Sequence, residues 1–405
     1  MWNKLPRIML VDMNSFFASV EQQANPFLRG KPIGVAVSPH PGSCLIGTSK
    51  EAKAMGIKNG IPVYKARKIC PKIITVESEP EKYREVNRQI NRIFSDYTET
   101  LEAYSVDESF LDLQNSKFNP LIIGAEIKQR IRSEVGEWLT CSVGIAPNKF
   151  MAKLAADLQK PDGLSVVWRE QLRNIYESKK LSDLWGINRG WTNRLAKLNI
   201  TSPLQLLDYP VENLISVFGK PGYFIWERVN GLEHDEIFSN QEISGSATGR
   251  SRPKSFGHSW VLNFRTTDKE RLKVVILRLA EKAARRMRAE RFIASGMYLS
   301  VTLADGGYFH RSKKLRFNIE TGLELYTEAL DIWKSWQFKH EVLHIAVGFN
   351  YLLFKTKQLV LFPDKLSNLI PTLDFLNDKY GEFTIRSGLL VRTSEFAPDA
   401  IAFGK

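Results

Sequence analysis

Cysteine is scarce in this chain of 405 residues: Cys44, Cys70 and Cys141 stand far apart and no CxxC pair occurs. Neither a disulfide framework nor a cysteine zinc site is expected, and a reducing interior is the expected setting. No apolar run reaches the roughly 20 residues that span a bilayer. Residues 1–7 lead straight into the first apolar stretch without the hydrophobic region of a secretory signal. No membrane association is expected, and the expected location is the cytoplasm. Acidic residues are also short, 44 against 57 Lys and Arg, for a net charge of +13. The shortage is local: residues 245–316 hold 17 Lys and Arg against 5 Asp and Glu. Such a segment faces a polyanion, nucleic acid before an anionic membrane. With 43% hydrophobic and 25% charged residues the chain is globular rather than disordered. Its length calls for two to four domains.

The acids that are present are informatively placed. Ser105-Val106-Asp107-Glu108-Ser109-Phe110-Leu111-Asp112 puts two adjacent carboxylates in an alternating, strand-like segment. Successive strand side chains point to opposite faces, so Asp107 and Glu108 converge only at a strand end or a tight turn. A third carboxylate, Asp12, follows the apolar strand Ile8-Met9-Leu10-Val11. Two apolar strands presenting Asp12, Asp107 and Glu108 form a cage suited to hard divalent cations, and Mg²⁺ takes one or two carboxylates together with substrate phosphates.

Along the chain, helices are expected at 15–21, 50–55, 63–69, 81–98 and 121–136, and strands at 32–37 and 139–145. This alternation implies a sheet with helices packed on it. Residues 38–80 read as a small basic insertion, and 181–235 as short helices with few strand signals. Residues 237–253, rich in Ser, Gly and Thr, read as an exposed linker. Beyond it, strand 259–264, helix 268–291, strands 296–303 and 309–317, helix 321–336 and strand 342–348 match a split βαβ layout. In the long helix Leu272, Val275, Ile276, Leu279, Ala283 and Met287 should face the sheet. Lys269, Lys273, Lys282, Arg285, Arg286 and Arg288 occupy its other positions, and their single sign points away from an ordinary solvated face.

The stretches Val11-Asp12-Met13-Asn14-Ser15-Phe16-Phe17-Ala18-Ser19-Val20-Glu21 and Tyr104-Ser105-Val106-Asp107-Glu108-Ser109-Phe110 resemble the Y-family DNA polymerases, which copy past damaged template bases. Further matches follow in the family's order: Glu51-Ala52-Lys53-Ala54-Met55-Gly56-Ile57, Ser142-Val143-Gly144-Ile145-Ala146-Pro147-Asn148-Lys149, Asp157-Leu158-Gln159-Lys160-Pro161-Asp162-Gly163, Leu184-Trp185-Gly186-Ile187-Asn188 and Lys254-Ser255-Phe256-Gly257-His258. Within the family the chain is similar to bacterial polymerase IV and to the catalytic subunit of polymerase V.

The resemblance implies an α+β multidomain, right-hand architecture. A ferredoxin-like palm takes 1–24 and 81–168, small fingers 25–80, and a helical thumb with a helix-hairpin-helix 169–240. A linker at 241–253 leads to a split βαβ little finger at 254–352 and a tail at 353–405. Two Mg²⁺ ions are implied, held by Asp12, Asp107, Glu108 and the Met13 carbonyl. Phe17 takes the place of a steric gate against the ribose 2′-hydroxyl, beside Phe16. Thr48, Lys53 and Lys160 lie near the triphosphate. Lys149, Gly186, Asn188, Arg250, Arg252, Lys254, Ser255, Gly257 and His258 are implied DNA contacts. Gln358, Leu359, Leu361 and Phe362 resemble the peptide by which bacterial polymerases dock on the sliding clamp, and the following segment, helical over 371–380, is expected to fold back or bind a partner. Primer-template DNA, a dNTP, the clamp and the proteins of an SOS mutagenesis complex are the implied partners.

The chain departs from the family's pattern at two places. Many relatives have Tyr and Arg where this chain has Lys50 and Lys53, and lysine lacks the bidentate fork of arginine. Asn188 stands where the thumb hairpin usually has Gly, and Asn tolerates positive φ better than most residues. Three readings remain at this point: a translesion polymerase, a catalytically silent DNA-bound relative, and a two-metal nuclease with a basic arm.

Overall fold

The computed structural model describes residues 5–38, 40–232, 237, 253–337, 339–355 and 365–391. The chain divides into two compact units, one within residues 1–250 and one within 251–399. Residues 238–252, most of the expected linker, lie outside the described residues.

The first unit is organised around β1 (Ile8–Met13), the middle strand of a five-stranded sheet. Its neighbours are β5 (Leu101–Ala103), β6 (Glu108–Asp112), β7 (Cys141–Ala146) and β8 (Leu164–Val166), in the order β5-β6-β1-β7-β8. All six residues of β1 are buried, because the two sides of the sheet each carry a core. Met9, Val11 and Met13 join one core with Phe16 of α1 (Phe16–Ala24), Tyr83 of α4 (Pro80–Ser95) and Ile127 of α5 (Pro120–Arg130). Ile8 and Leu10 join the other, with Phe150, Met151 and Leu154 of α6 (Lys149–Leu158). Strand alternation therefore sends Asp12 to the α6 side. Contact between α6 and the sheet is close at Gly144, where a Cβ would lie 2.1 Å from the Ala152 carbonyl oxygen.

A second, three-stranded sheet of order β3-β2-β4 is built from β2 (Ile33–Ala36), β3 (Leu45–Thr48) and β4 (Ile74–Glu77). With α2 (Lys50–Ala54) and α3 (Val63–Ile69) it encloses its own small core, including Leu45, Ala52, Ile57 and Val63. Five short helices follow: α7 (Leu172–Glu177), α8 (Arg189–Ala196), α9 (Pro203–Leu207), α10 (Val211–Phe218) and α11 (Lys220–Val229). Their apolar residues extend the core beneath α6.

The second unit is an antiparallel sheet of order β11-β10-β12-β9, from β9 (Ser255–Thr266), β10 (Phe292–Leu303), β11 (Tyr308–Ile319) and β12 (Val342–Phe354). Leu272, Val275, Ile276, Leu279, Ala283 and Met287 of α12 (Lys269–Ala289) are buried in its core, as their spacing requires. Leu325, Ala329 and Ile332 of α13 (Gly322–Lys334) complete it. A last helix, α14 (Lys365–Tyr380), runs through Pro371. Against the expected start at Pro371, the helix begins six residues earlier and forgoes one backbone hydrogen bond at the proline.

Candidate active site

Asp12 and Glu108 are directly paired residues of adjacent antiparallel strands, so their side chains share one face, about 5 Å apart at Cβ. Asp107 lies in the turn just before β6 and is free of the strand's alternation. The turn is tied to β1, because the Met13 N–H donates to the Asp107 carbonyl at 2.9 Å, and it is closed by Tyr104 and Ser105 N–H groups on the Glu108 carbonyl, each at 3.0 Å. Asp12, Met13, Asp107 and Glu108 thus meet at one end of the central sheet. Asp12 is only 5% exposed.

Two ammonium groups stand on these acids. Lys153 bonds Asp12 Oδ2 at 2.7 Å and Glu108 Oε1 at 2.5 Å, and Lys160 bonds the same Asp12 oxygen at 2.6 Å. Burial raises the Asp12 carboxyl, but Lys153 and Lys160 outweigh it and hold it below the usual range. Burial pushes the Asp107 carboxyl up, Asp12 adds to the push, and the Ser105 hydroxyl, donating at 2.6 Å, opposes it. Glu108 is likewise raised by burial and by the neighbouring acids, against Lys153. Lys53, on α2, is depressed by burial and by Lys160, with Asp12 and Asp107 partly restoring it. It therefore lies within electrostatic reach of the cluster.

The position of Lys160 is fixed from outside. Asp162, at φ +61, donates its N–H to Asn14 Oδ1 at 2.8 Å, and its carboxylate forms an ion pair with Lys128 at 3.1 Å. Asn14 also bonds Ser142 and Thr140, so the loop after α6 is fastened to the end of β1. The donor set suits a hard cation: all oxygen, mutually repelling, with Asp107 making no ion pair among the described residues. Among those residues no three acids stand as a ready-made metal cage; the lysines are interposed on Asp12 and Glu108.

Phe17 and Phe16 are both buried, at 4% and 2% exposure, so exposure does not separate gate from core. Phe17 packs edge-on against Tyr83 with ring centroids 5.0 Å apart and abuts Gly47, where a Cβ would lie 2.8 Å from the Phe17 Cβ. Thr48 is fully buried and donates its hydroxyl to Asn59 at 2.8 Å. Lys50 holds its ammonium 4.8 Å from the centroid of the Trp138 ring.

Two expectations, at Lys149 and Asn188, need correction. Lys149 is buried and paired with Glu102 at 2.9 Å, which commits its ammonium to the interior rather than to a DNA phosphate. Asn188 has φ −82 and serves as the N-cap of α8, accepting from the Trp191 N–H; the positive φ of that hairpin belongs to Gly186, at +86. Lys254 and Ser255 are exposed and His258 is buried. Gly257 lies beneath Tyr298, whose hydroxyl would be 2.0 Å from an added Cβ. Arg250, Arg252 and the peptide 358–362 lie outside the described residues.

Sequence reasoning missed Lys153 and Asn14. Lys153 follows Lys149 by four residues in a helix otherwise almost wholly apolar on its buried face. That signal becomes specific only when the acids across from it are known.

The fold matches a solved Y-family DNA polymerase chimera with a TM-score of 0.71 and 25% identity, over 86% of this chain and 99% of that one. The fold is that of a right-hand polymerase of the Y type, with palm, fingers, thumb and little finger. Residues 11–157 match the impB/mucB/samB family model and residues 253–360 the family's C-terminal domain. DNA polymerase IV of Moorella thermoacetica is 32% identical, over 93% of this chain and 94% of its own length. DNA polymerase IV 1 of Bacillus subtilis is 30% identical, over 98% and 96%. The chain belongs to the impB/mucB/samB family of Y-family DNA polymerases. Among the described residues no helix is long and apolar enough to cross a membrane.

Proposed function

We propose that this protein extends a DNA primer opposite undamaged and damaged template bases with low fidelity, by template-directed nucleotidyl transfer from dNTPs in the cytoplasm. The observation that carries this reading is the convergence of Asp12 with Asp107 and Glu108 from segments some 95 residues apart, with Lys160 and Lys53 beside them. Asp12, Asp107, Glu108 and the Met13 carbonyl would hold two Mg²⁺ ions. Such a pair of ions, when bound, stabilises the attacking and the leaving oxygens of an in-line displacement. The primer 3′-oxygen bonds to the α-phosphorus while the bond to pyrophosphate breaks. Lys160 and Lys53 offer point charges to the triphosphate, and Lys153 keeps Asp12 and Glu108 together on one face.

Residues 1–24 and 81–168 would then be palm, 25–80 fingers, 169–240 thumb and 254–352 little finger. Lys254, Ser255, Gly186 and the N-terminus of α8 would meet the DNA backbone, giving sequence-tolerant, salt-dependent binding. A sliding clamp would be taken at 358–362, and proteins of an SOS complex are further candidate partners.

Primer extension with Mg²⁺ and dNTPs tests the reading. Extended primers support it, unchanged primers favour a silent DNA-bound relative, and shortened ones a nuclease. The gate has its own test: Phe17→Ala and Phe16→Ala should each cost about 3 kcal/mol of stability, but only Phe17→Ala should admit ribonucleotides. Equal sugar selection in the two variants would remove Phe17 from that role.

A further inference from the structure

The basic helix α12 is not open to solvent along its charged face. Arg288 makes a two-pronged pair with Asp374, Nε to Oδ2 at 2.8 Å and Nη2 to Oδ1 at 2.7 Å. Arg285 pairs with Asp378, and Lys282 with Glu382 at 2.9 Å. Arg278, 3% exposed, stands 5.8 Å from the centroid of the Phe383 ring. The order 288, 285, 282, 278 on α12 meets 374, 378, 382, 383 on the tail, so the two segments run antiparallel. On α12 the steps are three and four residues, one helical face; on α14 Asp374 and Asp378 are four apart. Ile370 and Leu390 are buried at either end of the contact, and the Asn377 side-chain amide donates to the Ile385 carbonyl at 3.0 Å and accepts from the Ile385 N–H at 2.8 Å, which folds the chain after α14 back onto it.

Four cations along one face over about 15 Å of helix, at 1.5 Å per residue, make a surface that a nucleic-acid backbone fits electrostatically. The tail sets Asp374, Asp378 and Glu382 against three of those cations, Arg288, Arg285 and Lys282. We propose that residues 365–391, neutral overall but turning Asp374, Asp378 and Glu382 toward α12, are an intramolecular cover that denies the α12 face to DNA. The little finger then has one face for nucleic acid where the sequence provides two. The proposal rests on the reading that the chain binds DNA. It explains why the charge excess of this segment does not lie open on its helix.

The test uses the full chain with Asp374→Asn, Asp378→Asn and Glu382→Gln combined. Affinity for a blunt, non-specific duplex is measured by fluorescence anisotropy across a salt series, with primer extension in the same samples. Each cation released to DNA steepens the slope of log affinity against log salt by about 0.9. The expected slope is steeper by about 2 to 3, with affinity at low salt at least about tenfold higher and primer extension unchanged. Adding Arg285→Gln and Arg288→Gln to the same variant should return about 2 of those units. A slope unchanged within about half a unit, or a steep slope that survives those two changes, overturns the proposal. Should the triple variant fold poorly, Asp378→Asn alone, at an exposed pair, should steepen the slope by about 1, and no change overturns the proposal equally. A chain that binds duplex but extends no primer sinks the polymerase reading, whereas an unchanged slope in a chain that extends primers sinks only this one.

Discussion

Acids and bases meet in two parts of this molecule under opposite rules. At the end of β1 the partners are shared: Asp12 takes two ammonium groups on one oxygen, Lys153 serves two carboxylates, and among the described residues Asp107 takes a hydroxyl and no ammonium. Between α12 and the chain from α14 to Glu382, Arg288, Arg285 and Lys282 each have their own acid in register. The first network is assembled from β1, β6, α6 and the loop at Lys160, so no local change can relax it, and its acids are driven off their ordinary range in both directions. The second joins two helices and has nothing to rearrange. Shared, mutually opposed charges are what a site keeps when it must exchange partners during a reaction; paired ones are what a fastening needs.

Removing one shared partner should sharpen the contrast most. Lys153→Met leaves Asp12 and Glu108 facing each other in a largely buried place, and breaking such a pair costs about 3 kcal/mol. Thermal melting without divalent cation should register that loss, and added Mg²⁺ should recover part of it. A melting point equal to wild type would put Lys153 outside the network.

The next effect is smaller and has the opposite sign. Asp107 has a folded-state pKa above its unfolded value, so it opposes folding while ionised, and that opposition fades as pH falls through the folded pKa. Asp107→Asn should therefore melt higher than wild type at neutral pH without divalent cation, with the gap closing toward mild acid. Asp12, held low, behaves the other way: its contribution is present above its unfolded pKa and is lost as pH falls through the folded one. A gap that widens on acidification would contradict the shift at Asp107. Smallest of all, Arg285→Ala should cost less than about 1 kcal/mol, since its pair is exposed on the acidic side. A loss comparable to that of Lys153→Met would erase the distinction between the two regions.

Much of this was legible in the chain. The apolar run before Asp12 and the strand-end placement of Asp107 follow from periodicity, and α3 was read at its observed bounds, 63–69. What escaped has physical causes. Strands β3 and β4 are four residues each and β5 and β8 three, too short for alternation to register. Strands β9, β10 and β12 run to 12, 12 and 13 residues, longer than the expected 259–264, 296–303 and 342–348, because Ser255 and Gly257 and the ends at 292–295 and 349–354 carry no alternation of their own until the neighbouring strands cover them. Lys153 and the clasp on α12 depend on partners more than 40 and more than 80 residues away, which no local pattern carries. Asn188 was expected to bear a positive φ, and capping chemistry claimed it instead.

The central claim is that the crowded acids at the end of β1 carry the reaction. The most direct measurement is primer extension by Asp107→Asn, with primer-template affinity measured alongside. The expected result is a rate at least about a hundredfold lower at unchanged DNA affinity, in a protein that melts no lower than wild type. Extension at the wild-type rate would show that Asp107 does not take part in the transfer.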